Sequence, residues 1–286
     1  VADAFADLAD ELLDVAVTAA TAAGGLLAGG LRRSFGEVTS KSSATDMVSE
    51  MDRAAEALVV DVLRRRRPDD ALLAEEGSQW DGTSGVRWVV DPLDGTTNYL
   101  YGIPAFAVSV AAELEGQVVA GAVHHPLPGQ TFTAVRGRGA FLDGSQLQVA
   151  GRATLETALV GTGFAYSAER RRRQAQDLVG VLPEVRDIRR SGSAALDLCW
   201  VACGRLDAYF EFGLAPWDMA AGALVAAEAG AEVGTLGGGP CTDDVVYAAP
   251  PQLAGPLRAL LAAGGGVGAV KERKGSRPSA FVDGGQ

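Results

Sequence analysis

The sequence predicts a protein of mixed α+β and α/β character, layered as an αβαβα sandwich. An N-terminal half of helices lies on an antiparallel sheet, and a smaller α/β half follows. Three observations carry this. Two long segments repeat apolar residues at a helical period. Three apolar runs between residues 106 and 144 are separated by tight-turn dipeptides. Beyond residue 150, short apolar runs alternate with helical ones.

The first helix is expected from Ala4 to about Leu27, with Phe5, Leu8, Leu12, Val15 and Ala19 on one face; Gly24-Gly25 and Gly29-Gly30 are expected to break it. Lys41 to Thr45 reads as loop. A second helix runs from about Ser49 to Arg66, with Met51, Ala55, Leu58, Val59 and Val62 on one face, and Pro68 stops it. "ALLAEEG" (Ala71 to Gly77) and "VRWVVD" (Val86 to Asp91) read as strands that end in acid. "FAVSVAAEL", "QVVAGAVHHP" and "QTFTAVRGRGAFLDG" read as antiparallel strands turned at Glu115-Gly116, Pro128-Gly129 and Asp143-Gly144. In the second half, strands at Ala158 to Phe164, Val185 to Arg189, Leu206 to Phe212 and Val245 to Ala249 alternate with helices at Ser167 to Val181, Ala194 to Cys203, Trp217 to Ala229 and Pro251 to Ala262. The expected division is 1–150 and 151–265, with 266–286 a polar, breaker-rich flexible tail.

With 286 residues, 48% of them hydrophobic, the chain can build one large core or two small ones. A net charge of −11 argues against nucleic acid as a partner. The basic runs Arg64 to Arg67 and Arg170 to Arg173 fall on helices and read as solvated faces. Cys199 and Cys203, at i and i+4 in an apolar helix, read as small core residues; with Cys241 they make an odd set, which points to a reducing cytoplasm. No run of about 18 apolar residues is evident, so no membrane span is expected. The acidic N-terminal segment lacks the basic start of a signal peptide, and its opening at Val1 suggests that an initiator or longer start is missing.

The chemistry-bearing residues are acids at element ends: Glu75-Glu76, Asp91 and Asp94, Asp218, and Asp46 with Asp52. Carboxylates crowded at one rim of a sheet repel by on the order of several kcal/mol in a low-dielectric site. There is no matching set of lysines beside them and only two histidines exist, so the best counter-charge is a hard divalent cation; Mg²⁺ prefers such oxygens. Asp91 and Asp94, three apart around Pro92, could face a shared ion. Gly95, Thr96, Thr97 and Asn98 then offer what a phosphate needs: close backbone approach, N–H groups at a helix start and hydroxyl donors. Pro104 limits that helix to one or two turns. His124 and His125 are adjacent on a strand, point to opposite faces and read as structural.

"WVVDPLDGTTNYLYGIP" (Trp88 to Pro104) and "WDMAAGALVAAEAGA" (Trp217 to Ala231) resemble the two signatures of the inositol monophosphatase family of magnesium-dependent, lithium-sensitive phosphatases. The EEG strand end, "KSSATDMVSEMD", "GRGAFLDG" and "RRSGSAALDLCWVACGRLDAYFE" are similar to further family segments, over about residues 5 to 262.

The resemblance implies a phosphate monoester hydrolase, most of all for myo-inositol 1-phosphate, with two or three Mg²⁺ per site. Glu75, Asp91, Asp94, Asp218 and the Leu93 carbonyl would bind metal. Glu75 and Thr96 would hold the attacking water. Asp94, Gly95, Thr96, Gly192, Ser193, Ala194, Glu211 and Asp218 would contact substrate. Lys41 would lie near the metal site, Asp46 and Asp52 would steady the entrance loop and a third metal, and Trp217 would pack under Asp218. Ser49 stands where the family often carries threonine, with the hydroxyl kept. The "TTN" ending favours inositol phosphates over nucleotide and histidinol phosphates. Sugar-phosphate, fructose-1,6-bisphosphate and histidinol-phosphate hydrolysis stay as alternatives, as does a scaffold or interaction protein on the same fold. A homodimer is also implied, with "AFAVSVAAEL" as a possible source of interface.

Overall fold

The apolar stripe at the N-terminus builds one long helix, α1 (Ala2–Ser34). The computed structural model describes residues 2–34, 44–151, 154–236 and 245–263. Lys41, Cys241 and the 266–286 tail lie outside these. The glycine pairs do not break α1, contrary to the sequence reading. A Cβ built on Gly24 would stand 2.3 Å from His124 Cδ2, and one on Gly30 would stand 2.5 Å from Met51 Cε. These glycines let the helix lie close against its neighbours, and that packing outweighs their low helix propensity.

Over Ala6–Leu31, α1 is by length and composition apolar enough to cross a membrane, but half of that stretch is buried inside the protein. Leu12, Val15, Ala19, Ala23 and Leu27 are fully enclosed, so α1 is a core helix here. The second helix, α2 (Ala44–Arg66), begins earlier than Ser49, within the segment expected to be loop, and ends just before Pro68.

The first sheet contains β1 (Ala71–Ala74), β2 (Gln79–Trp80), β3 (Val86–Asp94), β4 (Ala107–Leu114), β5 (Gln117–His125), β6 (Gln130–Val135), β7 (Ala140–Leu142) and β8 (Ser145–Gln146), in the order β2-β1-β3-β4-β5-β6-β7-β8. It is antiparallel except for β1 and β3, which run parallel. The expectation of a wholly antiparallel sheet fails because the two-residue strand β2 takes up one reversal of direction. Between β3 and β4 sits α3 (Thr96–Tyr101), six residues long and ended by Gly102.

The second sheet holds β9 (Leu159–Thr162), β10 (Asp187–Arg189), β11 (Ala208–Glu211), β12 (Glu232–Gly234) and β13 (Val246–Ala249), in the order β10-β9-β11-β13-β12. Strands β10, β9 and β11 are parallel, and the remaining pairs antiparallel. Its helices are α4 (Ala168–Val181), α5 (Ala194–Ala202), α6 (Pro216–Glu228) and α7 (Pro251–Ala263). Strand β12 was not foreseen; three residues are too few to show a period.

Helices α1 and α2 cover one face of the first sheet, and α5 and α6 fill the space between the sheets. Helix α7 and its neighbour α4 close the far side of the second sheet. The result is the αβαβα sandwich. The division drawn at residue 150 falls between β8 and β9, yet α5 and α6 serve both sheets. Leu196, Cys199, Ala221 and Leu224 pack with Val89, Ala111 and Val123, while Leu198, Val201 and Ala226 pack with Tyr209, Val246 and Ala248.

Strand β4 is enclosed on both faces: Val108, Val110 and Ala112 toward the cluster holding α1, Ala107 and Ala111 toward the one holding α5 and α6. This corrects the idea that "AFAVSVAAEL" supplies an interface, because its apolar surface is already covered within the chain. His124 lies by Gly24 of α1 and pairs with the Thr131 hydroxyl at 2.9 Å; His125 faces Trp200 of α5 and pairs with the Pro104 carbonyl at 2.8 Å. Cys199 and Cys203 are free thiols.

Candidate active site

Residues three apart on a regular strand point to opposite faces. Asp91 and Asp94 nevertheless line one cavity, because the β3–β4 register shifts between them: Asp91 pairs with Ser109 and Asp94 with Ala107. Three steps on β3 match two on β4, a bulge that brings Asp94 back to the face of Asp91. Pro92 sits in the bulge, where a missing donor is tolerated. Gly95 then turns with φ 98°, and a Cβ there would stand 2.9 Å from the Ala105 carbonyl oxygen. Hence glycine starts α3.

The cavity has a volume of about 280 Å³. Around it stand Glu75 from the end of β1, Asp91, Leu93 and Asp94 from β3, Gly95 and Thr96 from the start of α3, Glu211 from the end of β11, and Asp218 from the first turn of α6. Gly192 and Ala194, from the loop into α5, complete this set. Local bonds fix the acids. Asp91 Oδ1 accepts from the Leu93 N–H at 2.9 Å. Asp94 Oδ2 accepts from the Ser193 hydroxyl at 2.6 Å and the Ala195 N–H at 2.7 Å, tying β3 to α5. Asp218 Oδ2 accepts from the Ala215 N–H at 2.7 Å. The Thr96 hydroxyl donates to the Leu93 carbonyl at 3.1 Å.

The electrostatics are those of crowded acids. Burial pushes Asp94 up to about 8; the Ser193 and Ala195 bonds pull against it, and Asp218 and Glu211 add repulsion. Burial, then Glu75, Asp94 and Asp218, raise Asp91 well above its ordinary range. Glu75 is exposed overall, yet its carboxyl is raised, by burial first and then by the neighbouring acids Asp218, Glu76 and Glu56, while Asp91 pulls against this. Burial also raises Asp218 against the Ala215 bond. Behind Thr96, Asp52 is pushed up to about 8 by burial and by Glu76, Glu75 and Glu56. One Asp52 oxygen has no partner.

Among the described residues, no group of three or more His, Cys, Asp or Glu side chains is already placed to hold a metal ion; the acids stand around an open cavity. Their chemistry fits hard divalent cations. All the donors are oxygens, their repulsion is unrelieved, and a buried Asp52 oxygen is orphaned.

Of the residues singled out in the sequence, eleven share this wall: Glu75, Asp91, Leu93, Asp94, Gly95, Thr96, Gly192, Ala194, Glu211, Trp217 and Asp218. Ser193 lies behind it, holding Asp94. Trp217 packs on the core between the sheets and also reaches the cavity, so it does more than underlie Asp218. The side chain of Asp46 and all of Lys41 lie outside the described residues.

Sequence reasoning missed Glu56, Gly163 and Arg190, and it put Asn98 toward a phosphate, not on the Ser191 carbonyl. Glu56 accepts from the Glu76 and Ser78 N–H groups at 2.9 and 3.1 Å and so shapes the turn that carries Glu75; its signal was a second acid four residues after Asp52, beside apolar Ala55 and Val59. Asn98 donates to the Ser191 carbonyl at 2.7 Å. Gly163 lets the Glu211 carboxyl lie flat against the backbone, since a Cβ there would stand 2.0 Å from Oε2. Arg190 lines the cavity beside Glu211.

The layers and the cavity together define a class: an αβαβα protein with carboxylates from four separate segments gathered at one cavity. Within that class the chain belongs to the inositol monophosphatase family, whose sequence model matches residues 8–270. The chain is 48% identical over 241 residues to "Inositol-1-monophosphatase" of Mycobacterium leprae, covering 79% of this chain and 81% of that protein. It is 41% identical over 230 residues to "Nus factor SuhB" of Escherichia coli, covering 80% and 86%. The solved structure "Mycobacterium tuberculosis SuhB" superposes with a TM-score of 0.78 at 44% identity, covering 90% of this chain and 97% of that one.

Proposed function

We propose that the protein is a Mg²⁺-dependent phosphate monoester hydrolase whose preferred substrate is myo-inositol 1-phosphate. The observation that carries this is the meeting of Glu75, Asp91, Asp94 and Asp218 with Thr96 on one cavity wall. Two or three Mg²⁺, held by those four acids and the Leu93 carbonyl, would supply a water of lowered pKa and positive charge for the phosphoryl oxygens. Glu75 and Thr96 orient the attacking water, and Glu75 accepts its proton. Asp94, fixed by Ser193 and Ala195, keeps its position as charge develops. Glu211 accepts a hydroxyl of the leaving alcohol. The chain supplies position and charge, which is what phosphoryl transfer demands.

Sugar-phosphate, fructose-1,6-bisphosphate and histidinol-phosphate hydrolysis are the broader forms of this reading. An interaction protein on the same fold is the other, favoured by the name Nus factor borne by the Escherichia coli relative. We place the protein in a reducing cytoplasm, which the free Cys199 and Cys203 support. The homodimer belongs to the same proposal; the exposed Tyr101 and Ile103 are apolar surface for it.

The test is phosphate release from inositol 1-phosphate with Mg²⁺ and with a chelator. Mg²⁺ should be required, lithium should inhibit, and Asp94→Asn should lower kcat by on the order of a hundredfold or more. Activity that survives both chelation and Asp94→Asn rejects the reading.

A further inference from the structure

Glu211 and Arg190 put opposite charges on the wall of one cavity. Among the described residues lining it, Arg190 is the only cation, and its charge acts on Glu211 and on the buried Asp197. Its head lies over its own loop: a Cβ on Gly192 would stand 2.6 Å from Arg190 Nη1 and 2.7 Å from Asn98 Nδ2. That loop is held at both ends, by the Asn98 bond to the Ser191 carbonyl and by the Ser193 bond to Asp94. Arg190 is therefore carried on backbone tied to the candidate metal acids.

The acceptor beside it is equally fixed. Glu211 Oε2 takes the Tyr209 hydroxyl at 2.6 Å, and Gly163 backs the carboxyl. Oε1 has no partner among the described residues. Tyr209 is fully buried and cannot follow a displaced carboxylate. The cavity thus offers guanidinium donors and a free carboxylate oxygen next to one another, the arrangement that reads neighbouring hydroxyls. A second phosphate or carboxylate on the leaving group would meet one guanidinium and be repelled by Glu211.

Resting on the phosphatase reading above, we propose that Arg190 is a specificity-determining residue that, with Glu211, selects an uncharged polyhydroxy leaving group over one bearing a second anion. The experiment measures kcat and KM on inositol 1-phosphate, fructose 1,6-bisphosphate and p-nitrophenyl phosphate, for the wild type, Arg190→Gln and Arg190→Lys. Because a hydrogen bond from a charged group is lost, Arg190→Gln should lower the ratio of kcat/KM on inositol 1-phosphate to that on p-nitrophenyl phosphate about tenfold or more, mainly through KM; Arg190→Lys should restore part of it.

A ratio unchanged to within about twofold overturns the inference. So does a larger loss on fructose 1,6-bisphosphate than on inositol 1-phosphate, which would make Arg190 an anion site. A wild type that releases phosphate from none of the three rejects the phosphatase reading itself and this inference with it. A wild type active on all three, with every ratio unmoved by the variants, rejects the inference alone.

Discussion

Removing the metal should invert the usual pH dependence of a folded protein's stability. In the metal-free chain Asp52 rises from 3.8 to about 8, through burial first and then through Glu76, Glu75 and Glu56. Asp94 rises to about 8 as well, through burial. Unfolding returns both to water, where they ionise near pH 4. Between about pH 4 and pH 8 the native state therefore binds more protons than the unfolded one, and the unfolding free energy falls as pH rises. Each retained proton gives a slope of about 1.4 kcal/mol per pH unit. Across the whole window a group like Asp52 would cost roughly 5 kcal/mol, a large share of a typical stability of about 5–15 kcal/mol. A divalent cation on the Asp94 oxygens takes the place of its proton, and its charge near Glu75 favours the ionised form of Asp52. It should flatten the slope and, at a hundredfold excess over Kd, add about 2.7 kcal/mol. The assay is thermal unfolding across this pH range with a chelator and with Mg²⁺. At about 2–4 °C per kcal/mol for a chain of roughly this size, both effects are easily resolved. A metal-free chain that gains stability from pH 4 to pH 8, with a Tm that Mg²⁺ does not move, would refute the reasoning.

Two further substitutions test close backbone approach. Gly163→Ala puts a Cβ where the Glu211 carboxyl lies; displacing that group from Tyr209 should raise KM for inositol 1-phosphate by about tenfold or more, and an unchanged KM would show that Glu211 does not bind the leaving alcohol. Gly24→Ala drives a methyl into the His124 ring at the α1–β5 contact; it should lower stability by about 1–3 kcal/mol in denaturant unfolding while kcat stays near wild type. A Gly24→Ala protein as stable as wild type would leave the uninterrupted α1 without its packing explanation.

Element types were legible because they rest on local pattern. The stripe from Phe5 to Ala19, the turn dipeptides after Leu114 and the alternation beyond Ala158 each lie within a few residues of one another. What failed depended on partners far along the chain. Gly24 reads as a breaker until His124, a hundred residues on, is seen to occupy the space a side chain would need. The parallel pairing of β1 with β3 turns on β2, a strand two residues long. The apolar "AFAVSVAAEL" reads equally well as interface or as doubly covered strand, and only the placement of α1 and α6 decides between them. In the candidate site, acids at strand ends were visible as type and position. Their neighbours were not: Glu56 acts through backbone N–H groups of another segment, and Gly163 through the room it leaves for the Glu211 carboxyl.

The DPxDG segment shows why the legible part sufficed for the site. Spacing alone would send Asp91 and Asp94 to opposite faces, which argues against a shared ion. The bulge reverses that argument, and the proline and glycine around it are the residues such a bulge and turn require. Sequence thus carried the distortion as well as the acids. The same segment ends in Asn98, whose amide grips the Ser191 carbonyl on the loop that bears Arg190. One stretch of chain therefore sets both the carboxylate spacing and the placement of the leaving-group end. A change in Asn98 should for that reason disturb substrate choice as well as turnover, whereas a change confined to the outer face of α4 should disturb neither.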